Sequence, residues 1–301
     1  MKTVILAGGT GGGKLAFGFQ AVLPAGDLTV IANTADDDEF WGLLVSPDVD
    51  ATIYRLAGVF DDAAGYGQKE DTFHALEALG RLGEPTWFRI GDRDLATHVL
   101  RADMLERGCR LTETALELCR RFGLSTRVLP MTDDKVRTRF VTDRGTLSFQ
   151  EYFVRERLAP TLHSIDIAGG DSAGSTPEVT SALADAGVVV IGPSNPLVSI
   201  GPILKVIGHQ LRRERTVAVT PIVGGAALKG PTVEMLRALG SEASPQAVAR
   251  AYMAVAGTFV LDERDAGVAG EIEAMGYRVI IGDTIMSDGG VALAREILKA
   301  F

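Results

Sequence analysis

The sequence predicts an α/β fold, a Rossmann-like, doubly wound and mostly parallel sheet that carries a largely helical insertion. Three observations predict it. Short apolar runs recur at 3–7, 28–32, 188–191, 216–220, 258–261 and 278–281, the pattern of strands buried on both faces. In the second half, segments of helical spacing near 178–186, 201–213, 231–239, 245–256, 265–275 and 288–300 separate or follow those runs, as a doubly wound sheet requires. The first run ends in a glycine-rich turn that opens a helix. With 301 residues the chain is read as a single domain, its core at about 1–58 and 160–301 and a helical and hairpin insertion at about 59–159.

Composition narrows the class. Hydrophobic content of 46% and charged content of 23% are ordinary globular values and speak against disorder or a coiled coil. A net charge of -9 without a compensating basic stripe argues against nucleic-acid binding. Apolar runs fall short of the roughly 20 residues that span a bilayer, and Met1-Lys2-Thr3 leads into a strand without a signal-peptide pattern, so no membrane partner and a cytoplasmic location are expected. Cys109 and Cys119 fit neither a zinc knuckle nor a CxxC pair and read as reduced thiols. His74, His98, His163 and His209 show no metal spacing.

The first strand, Thr3-Val4-Ile5-Leu6-Ala7, runs into five glycines between Gly8 and Gly13. A turn nearly free of side chains at a helix's positive end lets backbone amides approach an anion, so the segment reads as a phosphate seat. Gly9, Thr10, Gly11, Gly12 and Lys14 are its candidate residues. Residues 8–14 fit G-x-x-x-x-G-K, but Leu15 stands where a P-loop needs the hydroxyl that meets Mg2+. Residues 11–16 fit G-x-G-x-x-A, yet strand two ends in Asn33 and not in the acid that holds the ribose of NAD. The alternative is a glycine turn that serves only tight strand-helix packing.

Next come six carboxylates within fifteen residues, Asp36, Asp37, Asp38, Glu39, Asp48 and Asp50. They lie at the carboxyl end of a strand, where open α/β sheets bind ligands. Clustered carboxylates facing a phosphate seat call for a hard cation, and Mg2+ takes oxygen ligands. The alternative is an acidic surface loop with Asp36 or Asp37 as a helix cap.

Residues 52–58, 71–82, 95–107 and 111–122 read as helices, with a loop at 63–67 and a strand-like stretch at Trp87-Phe88-Arg89-Ile90. Phe40, Trp41, Phe73, Trp87 and Phe88 can wall a pocket for a flat ring, with core packing as the alternative. Residues 126–129 are strand-like, and 136–142 with 146–149 form a hairpin across Asp143-Arg144-Gly145. Tyr152, Phe153, Arg155 and Arg157 read as either a dimer contact or a solvated face. Gly170-Asp171-Ser172-Ala173-Gly174 matches G-x-S-x-G, but the next helix starts later, capped by Thr176 and opened by Pro177, so a nucleophile elbow is rejected. After the strand at 188–191, Gly192-Pro193-Ser194-Asn195-Pro196-Leu197-Val198-Ser199-Ile200-Gly201 opens a helix and reads as a second ligand seat. Residues 221–231 repeat the arrangement, with Lys229 as a phosphate cation or within a plain loop.

Seven stretches, AGGTGGGKLA, NTADDDEFWGLLVSPDVD, IGDRDLATHVLR, LPMTDD, FQEYFVR, IGPSNPLVSIGPIL and PIVGGAALKGP, span the chain in one order and closely resemble the CofD family. That family makes coenzyme F-420. The resemblance implies a Rossmann-like core, a homodimer and Mg2+-dependent transfer from a guanosine diphosphate ester to the 5′-hydroxyl of the deazaflavin FO, with release of GMP. It places Asp50 and Arg89 at FO, and on chemical grounds a carboxylate such as Asp50 near the 5′-hydroxyl is the candidate general base. It places Asp37 and Asp50 in the metal region, and the glycine turn with Ser194, Asn195, Pro196 and Gly201 in the nucleotide-phosphate region. Ala51 departs from the family's SPDxDT pattern. Two other functions are open to such a chain: a non-catalytic nucleotide-sugar-binding regulator of the gluconeogenesis-factor type, and an NAD(P)-dependent oxidoreductase.

Overall fold

The protein is described by a computed structural model covering residues 1–227, 231–240 and 242–301. The first half runs β1 (Thr3–Ala7), α1 (Gly9–Val22), β2 (Leu28–Ala32), a hairpin of β3 (Asp38–Phe40) and β4 (Leu43–Val45), α2 (Pro47–Leu56), α3 (His74–Arg81), α4 (Asp92–Glu106), α5 (Leu111–Arg121) and β5 (Arg127–Pro130). Antiparallel strands β6 (Arg137–Thr142), β7 (Gly145–Ser148) and β8 (Leu162–Ala168) follow, with a π-helical turn at Glu151–Arg155. The second half comprises α6 (Pro177–Asp185), β9 (Val188–Ile191), α7 (Ile200–Ile207), β10 (Thr216–Val219), a minimal hairpin of β11 (Ile222–Val223) and β12 (Ala226–Ala227), α8 (Thr232–Ala238), α9 (Pro245–Tyr252), β13 (Thr258–Asp262), α10 (Ala269–Ala274), β14 (Arg278–Gly282) and α11 (Val291–Lys299).

The central sheet has the order β5-β2-β1-β9-β10-β13-β14 and is parallel throughout. Alternate residues of the inner strands feed two apolar layers. Val4, Leu6, Ile31, Val189 and Ile191 pack on one face, and Ile5, Ala7, Val30, Val190 and Val217 on the other. Burial on both faces is why these strands read as uninterrupted apolar runs. The winding reverses between β1 and β9, so the turns that leave their carboxyl ends diverge and open a crevice.

Several expectations change. The span 59–159 is not wholly an insertion, because β5 pairs with β2 in parallel as an edge strand of the central sheet. Strand β8 was not read from the sequence. Its solvent-facing residues, His163 and Ser164 among them, mask the alternation that pairs it with β6. Residues 87–90 form no strand. The glycine segment is helix from Gly9 onward, with Gly9 (φ +65°) making the turn out of β1. The acidic segment is a hairpin and the first turn of α2, where Asp48 and Asp50 meet the positive end of the helix. The loop at 221–231 contains the β11–β12 hairpin, and Lys229 lies outside the described residues. Cys119 is buried and Cys109 half-buried, and both are free thiols. No described helix is long and apolar enough to cross a membrane.

Helix α1 is held between α2 and α11, and its close approach to α11 depends on Gly18. A Cβ there would run into the backbone of Gly290. We expect Gly18→Ala to destabilise the protein by about 1–3 kcal/mol, while Gly267→Ala, with nothing within 4 Å of the added carbon, stays within about 0.5 kcal/mol. Urea unfolding of both variants checks this, and equal stability would show that α1 and α11 do not need the close approach.

Candidate active site

The crevice at the switch point is a cleft of about 510 Å³, a size that suits a small-molecule ligand. The turns after β1 and β9 make one wall, through Gly9, Thr10, Gly11, Ser194 and Asn195. Asp36, Asp48 and Asp50 form its acidic floor with Asp94 and His98 of α4. Trp87, Phe88, Phe149 and Phe153 supply an aromatic side.

The glycine wall has internal acceptors. Ser194 Oγ accepts from the amides of Gly8 (3.3 Å) and Gly12 (3.2 Å), tying the two turns together. A Cβ on Gly12 would sit 2.9 Å from that oxygen and 2.7 Å from the Ala7 Cβ, so glycine is required for the approach. Gly9 N–H donates to Asp48 Oδ1 at 2.5 Å. The expected phosphate seat is therefore already faced by a carboxylate. The amides of Thr10 and Gly11, in the first turn of α1, have no acceptor within the helix.

Asp48 is anchored from its other oxygen by Asn33 Nδ2 (3.0 Å), which also donates to the Val198 carbonyl (3.3 Å). Asn33, where a dinucleotide fold would place an acid, thus joins the two halves of the cleft. Burial raises the Asp48 pKa to about 6, opposed by the hydrogen bonds from Asn33 and Gly9. Burial and the nearby Asp48 push Asp36 well above the usual range, although Thr138 Oγ1 donates to it at 2.9 Å. Burial raises Asp37 to about 8, against the hydrogen bond from Ser46 Oγ at 2.6 Å.

Asp50 sits deeper, against α4. Its Oδ1 pairs with the Arg101 guanidinium. His98 Nδ1 stands 3.7 Å from Asp50 Oδ2, and His98 Nε2 stands 3.3 Å from Asp94 Oδ1. Tyr54, one turn along α2 from Asp50, donates to Asp94 Oδ1 at 2.8 Å. Burial acts to raise the Asp94 pKa, but His98, Tyr54 and Arg101 together hold it below the ordinary value. Asp37 Oδ1 and Asp50 Oδ2 are buried without a hydrogen-bond partner among the described residues.

Of the residues singled out from the sequence, Gly9, Thr10, Gly11, Asp50, Arg89, Ser194 and Asn195 line this cleft. Arg89 stacks on Phe73 with its guanidinium 4.2 Å from the ring centre. Gly12 lies behind the wall as packing, and Asp37, Pro196 and Gly201 do not line the cleft. Lys14 points away, donating to the Ile285 carbonyl at 2.9 Å. Helix begins at Gly9, which puts Lys14 beyond the first turn. Asn195 Oδ1 accepts from the Leu197 amide at 2.9 Å, so its side chain first stabilises its own turn. Trp41 lines a neighbouring groove, which shares Trp87 and Phe88 with the cleft.

Sequence reading missed Asp94, His98 and Arg101 as a set, and Gln150 and Phe149 as cleft residues. Asp94, His98 and Arg101 recur at i, i+4 and i+7 along α4, and with Thr97 they are its buried residues, a polar stripe turned inward on a helix whose other positions are half-buried or exposed. That stripe was visible within IGDRDLATHVLR. Nothing in the sequence marks Gln150, whose Nε2 donates to the Asp36 carbonyl at 2.9 Å.

Comparison with known proteins bears on this cleft. The family described as 2-phospho-L-lactate transferase CofD matches residues 3–285. The chain belongs to the CofD family. It is 36% identical over 302 residues to a 2-phospho-L-lactate transferase of Methanosarcina mazei, covering 99% of this chain and 100% of that one. It is 39% identical over 311 residues to a phosphoenolpyruvate transferase of Streptomyces griseus, covering 99% of this chain and 98% of that one. Among solved structures, a UPF0052-family protein of Bacillus halodurans shares the fold, with a TM-score of 0.62, 15% identity and 98% coverage of each chain. The cleft of this CofD-family chain thus sits in a fold that other proteins share.

The raised Asp37 pKa predicts a pH dependence of stability. The folded state holds a proton at Asp37 between the usual carboxylate value and about 8, while the unfolded state has released it. Stability without metal should therefore fall as pH rises from about 4 to 8. Thermal unfolding across that range, repeated with Asp37→Asn, checks it. The slope should flatten in the variant, and an unchanged slope would remove Asp37 as its source.

Proposed function

We propose that this protein moves a phospho-lactyl, phosphoenolpyruvyl or related group from a guanosine diphosphate ester to the 5′-hydroxyl of FO, releasing GMP, in coenzyme F-420 biosynthesis. The observation that carries the reading is that one cleft joins the glycine turn, the acidic floor with Asp50, and Arg89 with an aromatic side. Such a cleft has room for a nucleotide diphosphate beside a flat ring.

In the proposed reaction the acceptor hydroxyl oxygen forms a bond to the phosphorus that carries the acid. The bond from that phosphorus to the bridging oxygen breaks, and the oxygen leaves with GMP. The hydroxyl proton passes to the carboxylate of Asp50, which lines the cleft, a contribution of typically 10²- to 10⁴-fold. First-turn amides of α1, at Thr10 and Gly11, face the diphosphate with the positive end of the helix. Trp87, Phe88, Phe149 and Phe153 offer faces for the deazaflavin. Arg89 is the one arginine or lysine among the described cleft residues, suited to a substrate anion.

Mg2+ belongs to this proposal, and the residues fit it. Two buried carboxylate oxygens, Asp50 Oδ2 of a cleft residue and Asp37 Oδ1 behind the cleft and near enough to Asp50 to feel its charge, lack partners among the described residues, and Mg2+ is commonly bound by one or two carboxylates with substrate phosphates and water completing its shell. Among the described residues no group of three or more His, Cys, Asp or Glu would hold a metal alone. When bound, the ion would neutralise charge on the diphosphate and on the departing phosphate. A homodimer and a cytoplasmic location are part of the same proposal, on family resemblance.

Purified enzyme with Mg2+, FO and guanylylated lactate, enolpyruvate or glycerate donors should give coupled products by mass spectrometry, with GMP released. More than one donor should react, because a single methyl or hydroxyl difference is worth only about 1–3 kcal/mol without a dedicated buried partner. Asp50→Asn should lower turnover by about two orders of magnitude or more with an unchanged circular dichroism spectrum. No product from any donor would overturn the transferase reading and favour a nucleotide-sugar-binding regulator.

A further inference from the structure

We infer that Arg101, which lies outside the cleft, is the positioning residue that keeps one oxygen of Asp50 free. The inference rests on the proposed role of Asp50. Arg101 is 1% exposed, on the face of α4 that meets α2 and the β3–β4 hairpin. Its NH2 group pairs with Asp50 Oδ1. Its NH1 group donates to the Leu44 carbonyl at 3.2 Å and stands 3.1 Å from His98 Nδ1.

A guanidinium carries only donors, so the ring nitrogen it meets must accept. A neutral His98 then carries its proton on Nε2, which stands 3.3 Å from Asp94 Oδ1 without hydrogen-bonding alignment to it. Nδ1 has no proton to offer Asp50 Oδ2, although only 3.7 Å separates them. That carboxylate oxygen has no hydrogen-bond partner among the described residues, despite its burial.

Arg101 therefore does two things with one planar fork. It fixes Asp50 through Oδ1, and by facing His98 Nδ1 it prevents the imidazole from capping Oδ2. Removing the fork frees His98 to take the other tautomer and donate to Oδ2, which turns a reactive acceptor into a satisfied one. A lysine restores the charge but is a point donor on a flexible stem, and cannot reproduce the fixed fork. Tyr54 donates to Asp94 Oδ1 and so fixes the oxygen that stands nearest His98 Nε2.

The test pairs nitrogen NMR of ¹⁵N-labelled, metal-free protein with kinetics, using His98→Gln to assign the His98 signals. In the wild type His98 should be the Nε2–H tautomer. In Arg101→Lys and Arg101→Gln it should shift toward Nδ1–H. In both variants kcat should fall by about 100-fold, with KM for FO within about threefold of the wild-type value. An Nδ1–H tautomer in the wild type would overturn the inference, as would an Arg101→Lys variant with kcat within about threefold of the parent. The wild-type spectrum decides the tautomer even where a variant fails to fold. It needs no substrate, so it also separates failure of this inference from failure of the transferase reading.

Discussion

Burying negative charge is the constraint around which the cleft is built. Asp36, Asp37, Asp48 and Asp50 are all nearly inaccessible, within fifteen residues of chain, and Asp94 joins them from α4. An unpaired buried carboxylate is expensive, so each must be paired, hydrogen-bonded or protonated. The fold uses all three remedies. Asp50 has Arg101, Asp48 has the Gly9 amide and Asn33, and Asp36 and Asp37 bind protons more tightly than free carboxylates do. Removing one partner of a buried ion pair typically costs about 3–5 kcal/mol, so stability and site geometry are not separable at Asp50 and Arg101.

This arrangement also explains where the cleft lies. The switch from β1 to β9 brings two helix beginnings and two strand ends to one place, and Ser194 links them by accepting amides from both sides of the first turn of α1. The acidic floor stands opposite, with Asp48 and Asp50 held at the positive end of α2. In the proposed reaction a diphosphate would meet the α1 amides on one side and carboxylates on the other. The carboxylate of Asp48 already contacts the Gly9 amide, so phosphate binding there requires that contact to yield or be shared.

Much of the fold was legible in the sequence because its signals are local. Central strands buried on both faces announce themselves as apolar runs, and Thr176 before Pro177 caps α6 as expected, accepting from the Val179 amide at 3.2 Å. Pairing partners were not legible, which is why β5 was assigned to an insertion although it extends the central sheet. In the cleft, residue types that suit phosphate and metal chemistry could be listed, but their direction could not. Lys14 shares the glycine motif and points toward Ile285, whereas Asp48, unremarked among six carboxylates, reaches the helix end. Asp94, His98 and Arg101 were readable as a helical stripe. Their meaning depends on α4 packing beside Asp50, a contact between residues 51 apart in sequence at Arg101.

Asp37 Oδ1 and Asp50 Oδ2 are the two unpartnered buried carboxylate oxygens among the described residues, and the proposed function assigns them to Mg2+. Diffraction from crystals grown with Mn2+ and GDP, recorded at the manganese absorption edge, probes them directly. A single anomalous peak in contact with both carboxylates and a phosphate oxygen is the predicted result. A peak held only by Asp36 or Asp48, or a nucleotide bound with no metal in the cleft, would contradict it.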